Sequence, residues 1–124
     1  MTAASFDSNI LIDSLRGHEP ARGEIKAVTT PYISRLTWIE VLSKVDDRTE
    51  NVVHAFLDRF IVDEVTLTIS RLAAALRNER RSLKLPHAVI LASARVNGRT
   101  LVTRNTHDFP AGTPGIRVPY TLVG

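Results

Sequence analysis

Apolar and polar positions fall into blocks whose period switches between two and about 3.6 along the chain. Ala4-Ser5-Phe6-Asp7 reads as a short buried strand that stops at Asp7. Ser8 reads as the cap of a following helix, with Ile10, Leu11 and Leu15 turned inward. Gly17 and Pro20 then punctuate the chain. Tyr32-Ile33-Ser34 reads as a strand, and Thr37 as the cap of the next helix. In that helix Trp38, Val41, Leu42 and Val45 recur at i, i+3, i+4 and i+7. Val52, Phe56, Leu57 and Phe60 predict a further helix, and Ile61 to Val65 a strand.

Ile69, Leu72, Ala73 and Leu76 repeat the helical spacing. Pro86 suits the first turn of another helix. Residues Ala88 to Ala94 are apolar on almost every side, so that helix is expected to be buried. Asn97-Gly98 ends it, with Gly98 free to take a left-handed cap. Thr100 to Thr103 reads as a strand, and Ile116-Arg117-Val118 as a last edge strand between two prolines. Strands alternating with helices predict an α/β fold, a short parallel sheet of four to five strands with helices on both faces. In open sheets of this kind, ligands bind beyond the carboxyl ends of the strands. Asp7, Asn105 and Asp108 all follow strands and would share one edge.

Composition narrows the picture without deciding it. The 124 residues suffice for one domain spanning 1–124, large enough to bury its own core. Without cysteine there are no disulfides and no thiolate zinc site. No signal peptide or membrane-spanning run is evident, so the expectation is a cytoplasmic protein. Sixteen Lys and Arg against thirteen Asp and Glu permit a nucleic-acid or acidic partner but demand neither.

Placement of the acids is more informative. Asp7, Glu40, Asn105 and Asp108 stand in three separated segments that the topology gathers at one sheet edge. Oxygen ligands in such a cluster suit Mg²⁺ or Mn²⁺, which can activate water at a phosphodiester. Two carboxylates about 4 Å apart repel by roughly 4 kcal/mol at an effective dielectric near 20, so a fold keeps the cluster only if something offsets that cost. Taken singly, each residue has an ordinary reading: Asp7 as a helix cap, Glu40 as a solvated side chain, Asp108 as a turn residue.

Together and in order, the segments Phe6-Asp7-Ser8-Asn9-Ile10-Leu11, Thr37-Trp38-Ile39-Glu40-Val41-Leu42 and Thr103-Arg104-Asn105-Thr106-His107-Asp108-Phe109 resemble the acidic motifs of VapC-type PIN domains. The resemblance covers nearly the whole chain. It implies a metal-dependent endoribonuclease toxin that cuts structured RNA such as tRNA. It also implies a homodimer held in check by a VapB-type antitoxin. Carried over by position, Asp7, Glu40 and Asp108 match metal ligands. Asn105 falls where many members have Asp and others Asn. Asn9, Ser34 and Thr103 would be polar neighbours that hold the ligands in place.

One position departs from the pattern. The family usually reads Leu-Pro-Asp-Ala before its buried helix; this chain reads Leu85-Pro86-His87-Ala88. His87 therefore stands where an acidic ligand is expected. It could ligate Mn²⁺ better than Mg²⁺. Alternatively, a protonated His87 could pair with Asp7 and Glu40 and weaken or disable the metal site. As a third reading, it is an ordinary exposed residue outside the motif. The same fold could also serve as a non-catalytic module that holds an antitoxin or RNA. A receiver-like domain would want paired acids after the first strand and a lysine after the last, and neither is present. There is no Gly-rich phosphate loop.

Arg71, Arg77, Arg80, Arg81 and Lys84 cluster on and after one predicted helix. They read either as a solvated face or as RNA phosphate contacts, with Arg80 and Arg81 the candidates there. Arg104, inside the terminal motif, is the better candidate for substrate phosphate. His18, His54 and His107 read as exposed. Apolar residues between 38 and 60 exceed what one helix face needs, and could supply a dimer or antitoxin groove.

Overall fold

In a computed structural model of the protein, which describes residues 1–122, the chain alternates strands and helices. The order is β1 (Ala3–Phe6), α1 (Ser8–Leu15), α2 (Glu19–Lys26), β2 (Thr30–Ser34), α3 (Arg35–Leu42) and α4 (Glu50–Leu57). Then follow β3 (Ile61–Asp63), α5 (Leu67–Glu79), α6 (Leu85–Val96), β4 (Leu101–Val102) and β5 (Ile116–Arg117). The last two residues of the 1–124 span lie outside the described residues.

The five strands form one sheet in the order β3-β2-β1-β4-β5. Every pairing is parallel, with Ser5 opposite both Tyr32 and Leu101, and Phe6 opposite Val102. The chain moves outward from β1 to β2 and β3, then returns to add β4 and β5 on the other side of β1. The β1/β4 boundary is thus the point where strand order reverses, and the crevice beyond it is the natural ligand site.

Period-two alternation divides the core. Ala4, Phe6, Ile33 and Val102 pack with α1 and α4 through Ile10, Leu11, Val53 and Leu57. Leu101, next to Val102, points the other way and packs with Ile69, Ala73, Ile90 and Leu91 of α5 and α6. Helices therefore cover both faces, as the pattern predicts. The central helix α6 has every residue from Ala88 to Ala94 buried, and Gly98 ends its exit turn at φ +64°.

Four local expectations need correction. The segment from Gly17 to Pro20 contains a helix start: Pro20 sits in the first turn of α2, and Ala21 and Ile25, four apart, face the core. The cap of α1 is Asp7, not Ser8, because the Asp7 carboxylate accepts the Ser8 backbone N–H at 2.7 Å. The cap of α3 is Ser34, whose hydroxyl accepts the Leu36 N–H, while Thr37 is buried one turn inside. That helix also ends at Leu42, before Val45, which packs on the core from beyond it. Among the described residues no helix is long and apolar enough to cross a membrane.

Candidate active site

β1, β2 and β4 end at one edge, and their last residues hand the chain to polar side chains. Asp7 is 1% exposed, and every polar contact it has comes from a donor. One carboxylate oxygen takes the Ser8 N–H; the other takes the Thr103 hydroxyl at 2.8 Å and the Asn9 amide at 3.3 Å. Burial pushes the Asp7 carboxyl above its ordinary value; the Thr103 bond, the His87 charge and the Ser8 N–H oppose that rise, and nearby Glu40 adds to it. Glu40, on α3, accepts the Ser8 hydroxyl at 2.9 Å. Asp7, Glu40, His87, Arg16, Lys44 and Arg104 line an open cleft of about 250 Å³.

His87 lies in the first turn of α6, where Pro86 sets the helix start. Its Nδ1 hydrogen-bonds the carboxylate of Asp108. Asp108 is 3% exposed. Burial alone would raise its carboxyl, but hydrogen bonds from Asn105 and His87 outweigh that and hold it below its ordinary value. An ionised carboxylate only accepts, so Nδ1 carries the proton and donates. That leaves the imidazole's Nε2 as the free nitrogen. Nε2 has no protein partner among the described residues and is not buried. The ring edge also meets Phe109, with centroids 5.7 Å apart, which fixes its tilt.

Asp108 is enclosed from its other side. Asn105 donates its amide to the same carboxylate at 3.1 Å and accepts the Asp108 backbone N–H at 3.2 Å, closing an Asx-type turn. Arg80 donates to the carbonyls of Asp108 and His107 and stands 3.7 Å from Oδ1 of Asp108. That oxygen is buried and has no hydrogen-bond partner.

Several residues sit differently from expectation. His87 pairs with Asp108, not with Asp7 and Glu40; the helix start aims Nδ1 at the terminal motif instead. Arg104 is not free for phosphate: it grips Asp13 through both of that residue's oxygens, at 2.6 and 3.1 Å, while its backbone N–H donates to Asn9. Arg80 braces the terminal motif, and Arg81 is exposed. Asn9 and Thr103 hold Asp7; Ser34 acts on α3 and does not touch it. His18 and His54 are half-buried, not exposed, and the His18 ring lies tilted against Tyr120 with centroids 4.7 Å apart. Sequence reasoning passed over Ser8, Arg16, Lys44 and Asp13. Ser8 and Lys44 had a usable signal, one being next to Asp7 and the other four residues beyond Glu40.

The resemblance implies Mg²⁺ or Mn²⁺ at this edge, and the arrangement does not fit such an ion held by three protein acids. Among the described residues no three His, Cys, Asp or Glu side chains come together as a metal-holding group. Asp7 and Glu40 face the cleft, but Asp108 lies behind His87 and beside Arg80, its charge already answered. Asp7, moreover, already spends both oxygens on donors.

A family model described as "PIN domain" matches residues 5–111. This chain belongs to the PIN domain family. Among solved structures, a toxin-antitoxin complex from Klebsiella pneumoniae is 39% identical over 96% of this PIN domain and 99% of that chain, with a TM-score of 0.89. DNA-bound VapBC from Salmonella typhimurium is 24% identical, covering 94% of this chain and 96% of that one, with a TM-score of 0.79. FitAcB from Neisseria gonorrhoeae is 20% identical over 96% and 99%, also at 0.79. These last two share the fold. No curated protein matches the chain.

Proposed function

We propose that this PIN domain is the RNA-cleaving toxin of a VapC-type toxin–antitoxin pair. One observation carries the reading: residues from separate motifs, Asp7, Glu40 and His87, converge on one cleft at the sheet's switch point. Asp7 caps α1, but capping a helix does not require burial beside a second carboxylate, and that added cost argues for use in chemistry. The 39% identical relative in a toxin–antitoxin complex supports the same assignment.

The proposed partner is a VapB-type antitoxin. Two adjoining hollows share Leu15 and Val52: one of about 400 Å³ between α1, α2 and α4, floored by Ile25 and Phe56, and one of about 320 Å³ between α1, α3 and α4, floored by Val41 and Val53. Arg22, Lys26 and Arg59 rim the first hollow, a surface suited to an amphipathic helix with an acidic face. A homodimer belongs to the same proposal.

Incubating the full chain with structured RNA such as tRNA, in EDTA, Mg²⁺ or Mn²⁺, tests the enzyme reading. Specific cleavage under at least one condition is expected. A second reading, a binding module that no longer cuts, draws on His87 and Arg80 enclosing Asp108. It requires antitoxin or RNA binding with no cleavage under any of these conditions.

A further inference from the structure

We propose that Arg16 and Lys44 form a phosphate subsite that carries an unpaired RNA strand out of the cleft, with one base of that strand seated in the neighbouring hollow of about 320 Å³. This rests on the nuclease reading above and names the class of RNA the site takes. The cations of the cleft differ in what they are free to bind. Arg104 is committed to Asp13. Arg16 and Lys44 are exposed, and neither forms an ion pair among the described residues.

Helix spacing puts these two at one place. Ser8, Ile12 and Arg16 follow at intervals of four on α1 and its last turn, so they share a face. Lys44 follows Glu40 at the same interval, just past the end of α3. The Ser8 hydroxyl bonds Glu40 and ties the two helices together beside the acids. Ile12, Arg16 and Lys44 line both the cleft and the hollow, whereas Asp7, Glu40 and His87 line the cleft alone. The two cations therefore stand at the junction. Asp7 and Glu40 oppose an anion deeper in the cleft, so phosphate binding falls to the end where the cations stand.

The hollow decides which RNA fits. Its floor is aliphatic, from Leu15, Val41, Val45 and Val53. A phosphate held at the junction sets its own nucleoside over that floor. Duplex RNA keeps its bases stacked inside the helix and offers an apolar hollow nothing, but an unpaired nucleotide can turn its base outward. Burying the base face removes apolar surface from water on both sides. Arg16 and Lys44 thus bind and position the strand; they take no part in breaking a bond. The hollow also shares Leu15 and Val52 with the larger one proposed for the antitoxin. A partner helix extending from one into the other would displace the base.

The experiment measures RNA binding by fluorescence anisotropy over a series of salt concentrations, in EDTA, for the full chain and for Arg16→Gln, Lys44→Gln and the double variant. The probes are an RNA hairpin with an unpaired loop, a duplex of the same length, and hairpins with one abasic nucleotide moved stepwise through the loop. Both side chains are exposed, so thermal melting should match the parent. Each single variant should lower the slope of log affinity against log salt by about 0.7, and the double by about 1.4. One abasic position should weaken binding by the parent about 5-fold, the low end for a seated base because the hollow has no aromatic wall. Unchanged slopes in the variants would overturn the subsite, as would a reduced slope in Arg81→Gln alone. Equal binding of duplex and hairpin, with no sensitive abasic position, would overturn the seat for the base. An oligoglutamate of matched charge that binds as tightly as the hairpin, with the same loss in the variants, would assign the pair to an acidic protein partner and overturn the proposal. Reduced slopes without cleavage of any RNA in Mg²⁺ or Mn²⁺ would support the subsite and overturn the nuclease reading. Cleavage by the parent with unchanged slopes would do the reverse.

Discussion

Two buried aspartates flank Asp7, and they are held in opposite ways. Asp13, on α1, is saturated: Arg104 takes both oxygens, and the Tyr120 hydroxyl adds a bond at 2.7 Å. Asp108 is half-open: one oxygen takes His87 and Asn105, and the other has no hydrogen bond. Burial pushes the Asp13 carboxyl up, but the bonds from Arg104 and Tyr120 outweigh it and hold it below its ordinary value. A partly buried ion pair, with both Asp13 oxygens bonded, ties the terminal motif to α1 and the C-terminal segment, which is structural work. In the second pair, a buried carboxylate holds a ring that opens on the cleft. One partner of each pair, Arg104 or His87, lines the cleft; what separates the pairs is how completely the carboxylate is hydrogen-bonded.

The sharpest test of that contrast falls on the open pair. On the proposed nuclease reading, His87→Asp restores the acid that the resemblance expects there and should raise Mn²⁺-dependent RNA cleavage on the order of 100-fold, with little change in thermal melting. Equal cleavage by the two proteins would erase the distinction. Asp108→Asn should loosen the hold on His87 and Asn105 at the site and lower cleavage on the order of 10-fold. The loss should fall in the rate at saturating RNA, not in binding of RNA measured by fluorescence anisotropy.

The closed pair should answer in stability. Asp13→Asn leaves Arg104 without its charge partner and should cost about 2 kcal/mol in a urea titration. Because the folded Asp13 and Asp108 carboxyls lie below their ordinary values, their contribution is present above pH ~4. It is lost as pH falls through the lower folded values. Asp13→Asn should therefore weaken the decline in stability seen on acidification below pH ~4. Tyr120→Phe removes one hydrogen bond and should cost about 1 kcal/mol. Burial and the bond to Asp13 hold the Tyr120 hydroxyl well above its ordinary value. That contribution is present at neutral pH and fades only as pH rises above ~10, so the Phe variant should resemble the parent in strong alkali.

Much of the frame was legible in order and period. The run Ala88 to Ala94 announced a buried helix because no face of it is polar, and Asp7 followed by an apolar helix announced a strand end. Placing β4 beside β1 depended on the alternation of strands and helices, which fixes parallel pairing and hence a shared carboxyl edge. Local competition was harder to read. Ser8 and Asp7 both suit a helix cap, and the carboxylate won because the Ser8 hydroxyl reaches Glu40 across the cleft. The α2 start hid behind Gly17 and Pro20, since proline marks a first turn as readily as a break.

The sequence by itself determined the α/β order, the gathering of Asp7, Glu40 and the terminal motif at one edge, and the departure at His87. Only the tertiary structure decided what that departure means. Side-chain direction is not written in spacing, and His87 turned to Asp108 because α6 begins beside the terminal loop. The same packing paired the guanidinium of Arg104, still at the cleft wall, with Asp13, leaving Arg16 and Lys44 as the cations there without an ion pair among the described residues.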